Sequence, residues 1–207
     1  MKKYALKLAA AAAFTGFCTL ASAATFTEGK DYTVSPNPEN IAGDVIVVRE
    51  FFWYGCPHCY ALEPHMQKWA KTRAKDVAFF QTPAAMNPMW EVGARGFYTA
   101  QQLGVLHKTH QDLFDTIHKD GERVEQSQES LGNWYAKQGV DKAKFNDLYN
   151  SFAVSTKVER SKQSAMRHRL TGVPAVVVHG KYIVNGEDEK VPQVVDFLVE
   201  KVRAEKK

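Results

Sequence analysis

Residues 45–52 read Val45-Ile46-Val47-Val48-Arg49-Glu50-Phe51-Phe52, a β-branched and aromatic run interrupted by two charges. That pattern predicts a largely buried strand in the middle of a sheet. It ends at Trp53-Tyr54-Gly55. Pro57 then suits the first position of a helix, and Leu62, Met66 and Trp69 continue at helical spacing to about Lys71. Pro64 is expected to kink this helix, because it has no NH for the carbonyl of Tyr60. A second strand over Val77 to Gln81 makes a βαβ unit, whose connection should be right-handed.

From about Met86 to His168 the spacing changes to threes and fours. Val92/Phe97/Ala100/Leu103, Leu113/Phe114/Ile117, Trp134/Tyr135 and Phe145/Leu148/Phe152 predict several helices, with Gly104, Gly121, Gly139 and Gly172 as stops. Strand character returns at Ala175 to Val178. His179-Gly180 reads as a tight turn, Tyr182 to Val184 as the paired strand, and Val191, Val194, Val195, Phe197, Leu198 and Val202 as the apolar positions of a terminal amphipathic helix. The outline is an α/β sheet interrupted by a helical insertion at 86–168, with the sheet assembled from 24–85 and 169–207. No internal repeat or low-complexity linker is present in this stretch.

Residues 1–23 differ in texture. Lys2 and Lys3 precede an apolar, alanine-rich run that closes in Ala21-Ser22-Ala23, the pattern of a secretory signal peptide cleaved before Ala24. Its three lysines carry most of the formal charge of +4; without them 24 basic residues face 23 acidic ones. A near-neutral mature chain argues against nucleic acid as a partner.

Removal of the leader takes Cys18 with it and leaves Cys56 and Cys59 in an exported chain. Such a compartment favours disulfides. A bridge across so short a loop adds little stability, which points away from a structural staple. Zinc needs four ligands and no second cysteine pair exists, so no metal is expected; Tyr60 also breaks the haem-attachment pattern. With Cys56 as N-cap and Pro57, His58 and Cys59 in the first turn, the Cys56 sulfur faces free NH groups and the positive end of the helix dipole. Pro57 and His58 thus become redox-tuning residues, and a protonated His58 would add a further favourable charge. Cys56 is expected to be an acidic, exposed nucleophile, and Cys59 the deeper resolving thiol. A stabilised reduced form makes the corresponding disulfide a strong oxidant.

Glu50-Phe51-Phe52, Gly55, Cys56-Pro57-His58-Cys59-Tyr60 and, beyond the helical block, Thr171-Gly172-Val173-Pro174-Ala175 together resemble the DsbA family of periplasmic thiol:disulfide interchange proteins. The resemblance covers essentially the whole mature chain. An acidic leading cysteine is a known property of that family, so the direction argued above is shared with it. The resemblance implies a thioredoxin fold with an inserted helical domain, and a cis peptide between Val173 and Pro174 beside Cys56. The Val173 backbone would then pair with extended substrate. It also implies that Glu50 is a buried acid relaying a proton to Cys59. The family usually has an apolar residue where Arg49 stands, and the lysine that often partners the acid is not evident in Val77 to Thr82.

The function expected is an enzyme, a protein dithiol oxidase that donates its Cys56–Cys59 disulfide to folding exported proteins in the periplasm. No cofactor beyond that disulfide is expected, and the chain is read as a monomer. Reoxidation would fall to a DsbB-type inner-membrane quinone reductase. The alternatives are a disulfide isomerase or reductase of the same fold, or a non-catalytic peptide-binding chaperone with a structural cysteine pair. His65, His107, His110, His118, His168 and His179 read as surface or structural, lacking carboxylates at ligand spacing. Trp53, Tyr54, Phe97, Trp134 and Phe152 read as core and rim, with those near Cys56 forming an exposed apolar groove.

Overall fold

The structure is a computed structural model that describes residues 25–206. The expected signal peptide lies outside the described residues. Among those described, no helix is long and apolar enough to cross a membrane.

A five-stranded sheet forms the centre of the molecule, in the order β1 (Thr33–Val34), β5 (Tyr182–Asn185), β4 (Ala175–Val178), β2 (Ile46–Phe52) and β3 (Val77–Pro83). β2 and β3 run parallel, joined by α1 (Pro57–Thr72), while the other pairs are antiparallel. β3 is followed in the chain by α2 (Pro88–Gln102), α3 (Leu106–His118), a 3-10 turn at Val124–Gln126, α4 (Gln128–Lys137), α5 (Lys142–Tyr149) and α6 (Phe152–Arg167), all before β4. α7 (Lys190–Glu205) closes the chain.

Alternation along β2 decides which side chains meet which layer. Ile46 and Val48 pack with Leu62, Met66 and Trp69 of α1 and with Val194, Val195 and Leu198 of α7. Phe51 packs on the opposite face with Ala175, Val177, Ile183 and Ala165. Glu50 therefore points to the α1 face. The end of β2 enters a third cluster, where Phe52 and Tyr54 join Phe97, Leu113, Phe114 and Tyr135 from the inserted helices. Cys56 and Cys59 belong to that same cluster, so the cysteine pair sits where the sheet layer meets the insertion.

Local chemistry explains most element ends. Asn87, Ser127, Asp141 and Ser151 cap helices by accepting a hydrogen bond from a first-turn amide. Between β4 and β5, His179 (φ 49°) and Gly180 (φ 65°) take the two left-handed positions of a tight hairpin turn, closed by Lys181 N donating to Val178 O at 3.0 Å. α1 continues through Pro64 without interruption. Gly172 stops no helix: α6 has already ended at Arg167, and the chain turns at Arg169 (φ 50°). Phe152, read from its spacing as core, begins α6 and is 87% exposed. β1, two mostly exposed residues on the edge beside β5, has no apolar pattern and was not expected.

Candidate active site

Cys56 is the N-cap of α1, with extended backbone (φ −89°, ψ 115°), and Pro57 opens the helix. The strand-turn-helix geometry arises because Trp53 O accepts from Cys56 N at 3.0 Å and Cys56 O from Tyr60 N at 3.1 Å. Both cysteines are free thiols. The Cys56 sulfur makes no well-formed capping hydrogen bond, so the first-turn amides act on it as nearby dipoles. Its pKa is drawn down to about 6, chiefly by the Cys59 thiol. Burial opposes this shift, and the amides of Cys59 and His58 and the charge of His58 add to it. Cys59 moves strongly the other way, first because it is buried and then because it lies beside the Cys56 sulfur. One thiol is thereby poised to ionise and its neighbour to remain protonated.

The expected exposure of Cys56 is corrected: only 7% of its surface is accessible. The loop before β4 covers it. Val173–Pro174 is a cis peptide, and Cys56 Sγ donates to Val173 O at 3.4 Å. Beside this contact runs an open groove of about 360 Å3, bordered by His58, Thr171, Val173, Pro174, Asn185 and Glu187. His58 is exposed and its Nδ1 contacts the Glu187 carboxylate, whose hydrogen bond and charge raise the His58 pKa and favour the protonated ring. The aromatic residues near Cys56 do not form an exposed groove. Tyr54 is fully buried, and Trp53 is half-buried against Trp90, with ring centroids 5.2 Å apart and planes at 13°.

Glu50 is completely buried. Gln81, its register partner on β3, occupies the place where the sequence offered no lysine, and its Nε2 donates to Glu50 Oε2 at 3.2 Å. Burial, then the like charge of Glu63, pushes the Glu50 pKa well above the ordinary carboxylate value. Its charge is also felt at Cys59. Arg49 faces the other side of the strand, where its guanidinium donates to Thr82 Oγ1 at 3.0 Å and lies over the Phe80 ring.

Sequence reasoning missed Glu63, a second buried acid on α1. Its spacing of four from Cys59 places it on the same helical face, which is the signal that could have revealed it. The histidines lack carboxylates at ligand spacing in the sequence, yet two of them find single carboxylate partners on other elements. His110 is buried near Glu63, and His168 is buried against Glu39 and Ser35, tying the segment before β2 to the end of α6. His118 pairs with a backbone group instead: its Nε2 lies 2.7 Å from Tyr54 O and its ring stacks on Tyr60. Among the described residues, no group of three or more His, Cys, Asp or Glu side chains is arranged to hold a metal.

A mixed sheet with a helical insertion, carrying Cys-Pro-His-Cys at the start of its first long helix against a cis-proline loop, defines a thiol:disulfide oxidoreductase of the thioredoxin type. The model of the DSBA-like thioredoxin domain matches residues 81–198. The thiol:disulfide interchange protein DsbA of Pseudomonas aeruginosa is 40% identical over 194 residues, covering 91% of each chain. The protein of the same name from Azotobacter vinelandii is 38% identical, covering 85% of this chain and 84% of its own. The crystal structure of Pseudomonas aeruginosa DsbA superimposes with a TM-score of 0.79 at 39% identity, covering 86% of this chain and 95% of that one. DsbA from Xylella fastidiosa gives 0.78 at 33% identity, covering 85% and 97%. The chain belongs to the DsbA family.

Proposed function

We propose that the oxidised protein donates its Cys56–Cys59 disulfide to newly exported polypeptides in the periplasm. The single observation that carries this direction is the opposed tuning of the two thiols. Cys56 is held near a pKa of about 6 while Cys59 is pushed up, so the reduced pair is stabilised as thiolate plus thiol. Whatever stabilises the reduced pair makes the disulfide readier to accept electrons.

In the reaction, a substrate thiolate attacks Cys56 Sγ, the Cys56–Cys59 bond breaks, and Cys59 departs as a thiolate. Glu50, neutral in its buried site, gives Cys59 a proton. A second substrate thiolate then attacks the substrate sulfur of the mixed disulfide and releases Cys56 as a thiolate. Two electrons pass from substrate to enzyme. The Val173 backbone and the groove beside Pro174 hold the substrate segment in extended form, a mode of binding that asks little of its side chains. Pro57 and His58 tune the leading sulfur. No cofactor other than the cysteine pair enters this scheme, and reoxidation falls to a DsbB-type quinone-linked protein of the inner membrane.

A reductase would require a more stable bridge than this site favours, and a chaperone would not need an acidic thiol. The test is oxidation of a reduced two-cysteine peptide by stoichiometric oxidised protein. Wild type should oxidise it and Cys56→Ser should not. Equal peptide oxidation by both proteins would remove the proposal.

A further inference from the structure

Between α1, β3 and α3 an open cavity of about 650 Å3 has Lys71, His107 and Gln111 on its exposed lining and Glu63 and His110 on its buried lining. From there a chain of polar contacts runs inward across four elements. Tyr54 Oη and His110 Nδ1 are 2.8 Å apart. His110 Nε2 lies 3.3 Å from Glu63 Oε1, an ion-pair distance without the alignment of a good hydrogen bond. Gln81 Nε2 then donates to both acids, at 2.8 Å to Glu63 Oε2 and 3.2 Å to Glu50 Oε2.

Two buried carboxyl groups that share one amide are strongly disfavoured from ionising together, and one of them keeps a proton. Their partners are unequal. Glu63 faces three groups, His110, Gln67 (Nε2 to Oε1, 2.8 Å) and Gln81. Glu50 has Gln81 alone, and its Oε1 has no hydrogen-bond partner among the described residues. The negative charge therefore belongs on Glu63 and the proton on Glu50. The His110 ring is held in place by Phe52, Phe97 and Phe114, with centroids 5.2–5.9 Å away.

We propose that His110 is a positioning residue for disulfide exchange: it fixes the charge of the acid pair on Glu63, so that the one proton of the pair stays on Glu50, and the cavity beside it is where solvent restores that proton after each turnover. The proposal rests on the reading that Glu50 protonates Cys59. When the Cys56–Cys59 bond opens, the electron pair leaves with the Cys59 sulfur. The Glu50 O–H proton moves to that sulfur, Glu50 becomes a carboxylate, and a solvent proton returns it to the acid. The groups that bear on this equilibrium are Tyr54, Cys59, Gln67 and Lys71 around β2 and α1, Gln81 on β3, and His107 and His110 on α3. Among the described residues, His110 is the one basic side chain paired with either acid.

The experiment is a pH titration of the side-chain carboxyl carbons in the oxidised protein labelled with 13C-glutamate, with Glu50 assigned from the signal lost in Glu50→Gln. In His110→Phe, which suits the aromatic surroundings, the Glu63 midpoint should rise and the Glu50 midpoint should fall by about one pH unit. His110→Gln, which keeps an NH donor but not the imidazole, should move both midpoints in the same directions by less. A Glu50 midpoint unmoved in folded His110→Phe would overturn the proposal. Should His110→Phe not fold, Glu63→Gln asks the same question, and an unmoved Glu50 midpoint there would overturn it equally. The underlying relay is tested apart from this: if Glu50→Gln leaves the pH profile of mixed-disulfide formation unchanged, the relay reading fails, whatever the His110 variants show.

Discussion

The Cys56 sulfur lies 3.4 Å from the carbonyl oxygen of Val173, although 117 positions separate them in sequence. This contact brings together the first turn of α1 and the loop before β4, the two pieces that the proposed exchange places beside the substrate. It needs the thiol hydrogen of Cys56, so oxidation of the pair to the disulfide, like ionisation of the sulfur, releases the Val173 carbonyl. The backbone group that screens the thiol in the reduced pair is then free for the strand pairing proposed for substrate.

The order of the influences on Cys56 gives a ranking of variants. The Cys59 thiol has the largest effect and the charge of exposed His58 the smallest. Cys59→Ala should therefore raise the Cys56 midpoint more than His58→Ala does, and both should make Cys56 less acidic. Thiolate absorbance against pH for the two variants checks the ranking. His58→Ala should also be a weaker oxidant in a glutathione titration, and an unchanged reduction potential would remove the tuning role of His58.

The same shift makes the stability of the reduced protein depend on pH. The folded-state value of about 6 is depressed from the ordinary 9.0, so the contribution is fully present only above 9. It declines as pH falls and vanishes below 6. At pH 7 it amounts to about 1 kcal/mol. Guanidinium unfolding of reduced wild type against Cys56→Ser, at pH 7.5 and pH 5, should show a stability difference between the two proteins that shrinks at the lower pH.

Gly55 is fixed by its neighbour. A Cβ added there would lie 2.4 Å from Cζ2 of Trp53. The indole is stacked on Trp90 and cannot yield by a simple rotation of its tip. Gly55→Ala should therefore displace Trp53, with a change in tryptophan fluorescence and a loss of about 1–3 kcal/mol in unfolding free energy. An unchanged spectrum and stability would show that the turn before Cys56 tolerates a side chain.

Much of this arrangement was legible in the sequence because it depends on local rules. The apolar run into β2, the proline after Cys56 and the His179-Gly180 turn each act within a few residues, and all three formed as expected. The polar chain behind the cysteines was not legible. Glu63 looks like any acid on an exposed helical turn until β3 and α3 are laid over it, and His110 acquires its acid from a helix 47 positions away. The exposure of Cys56 was misjudged for the same reason: a helix N-cap is normally open, and only the packing of the Val173 loop closes it. Phe152 erred in the other direction, since its helical spacing matched the core while its place at the first residue of α6 left it in solvent.

The most direct test is the absorbance of the Cys56 thiolate in the reduced protein, followed against pH, with Cys56→Ser as the blank. A midpoint of about 6 is the result expected from the site. A midpoint near 9, that of an ordinary cysteine, would contradict it, because the reduced pair would then lack the stabilisation that drives disulfide donation.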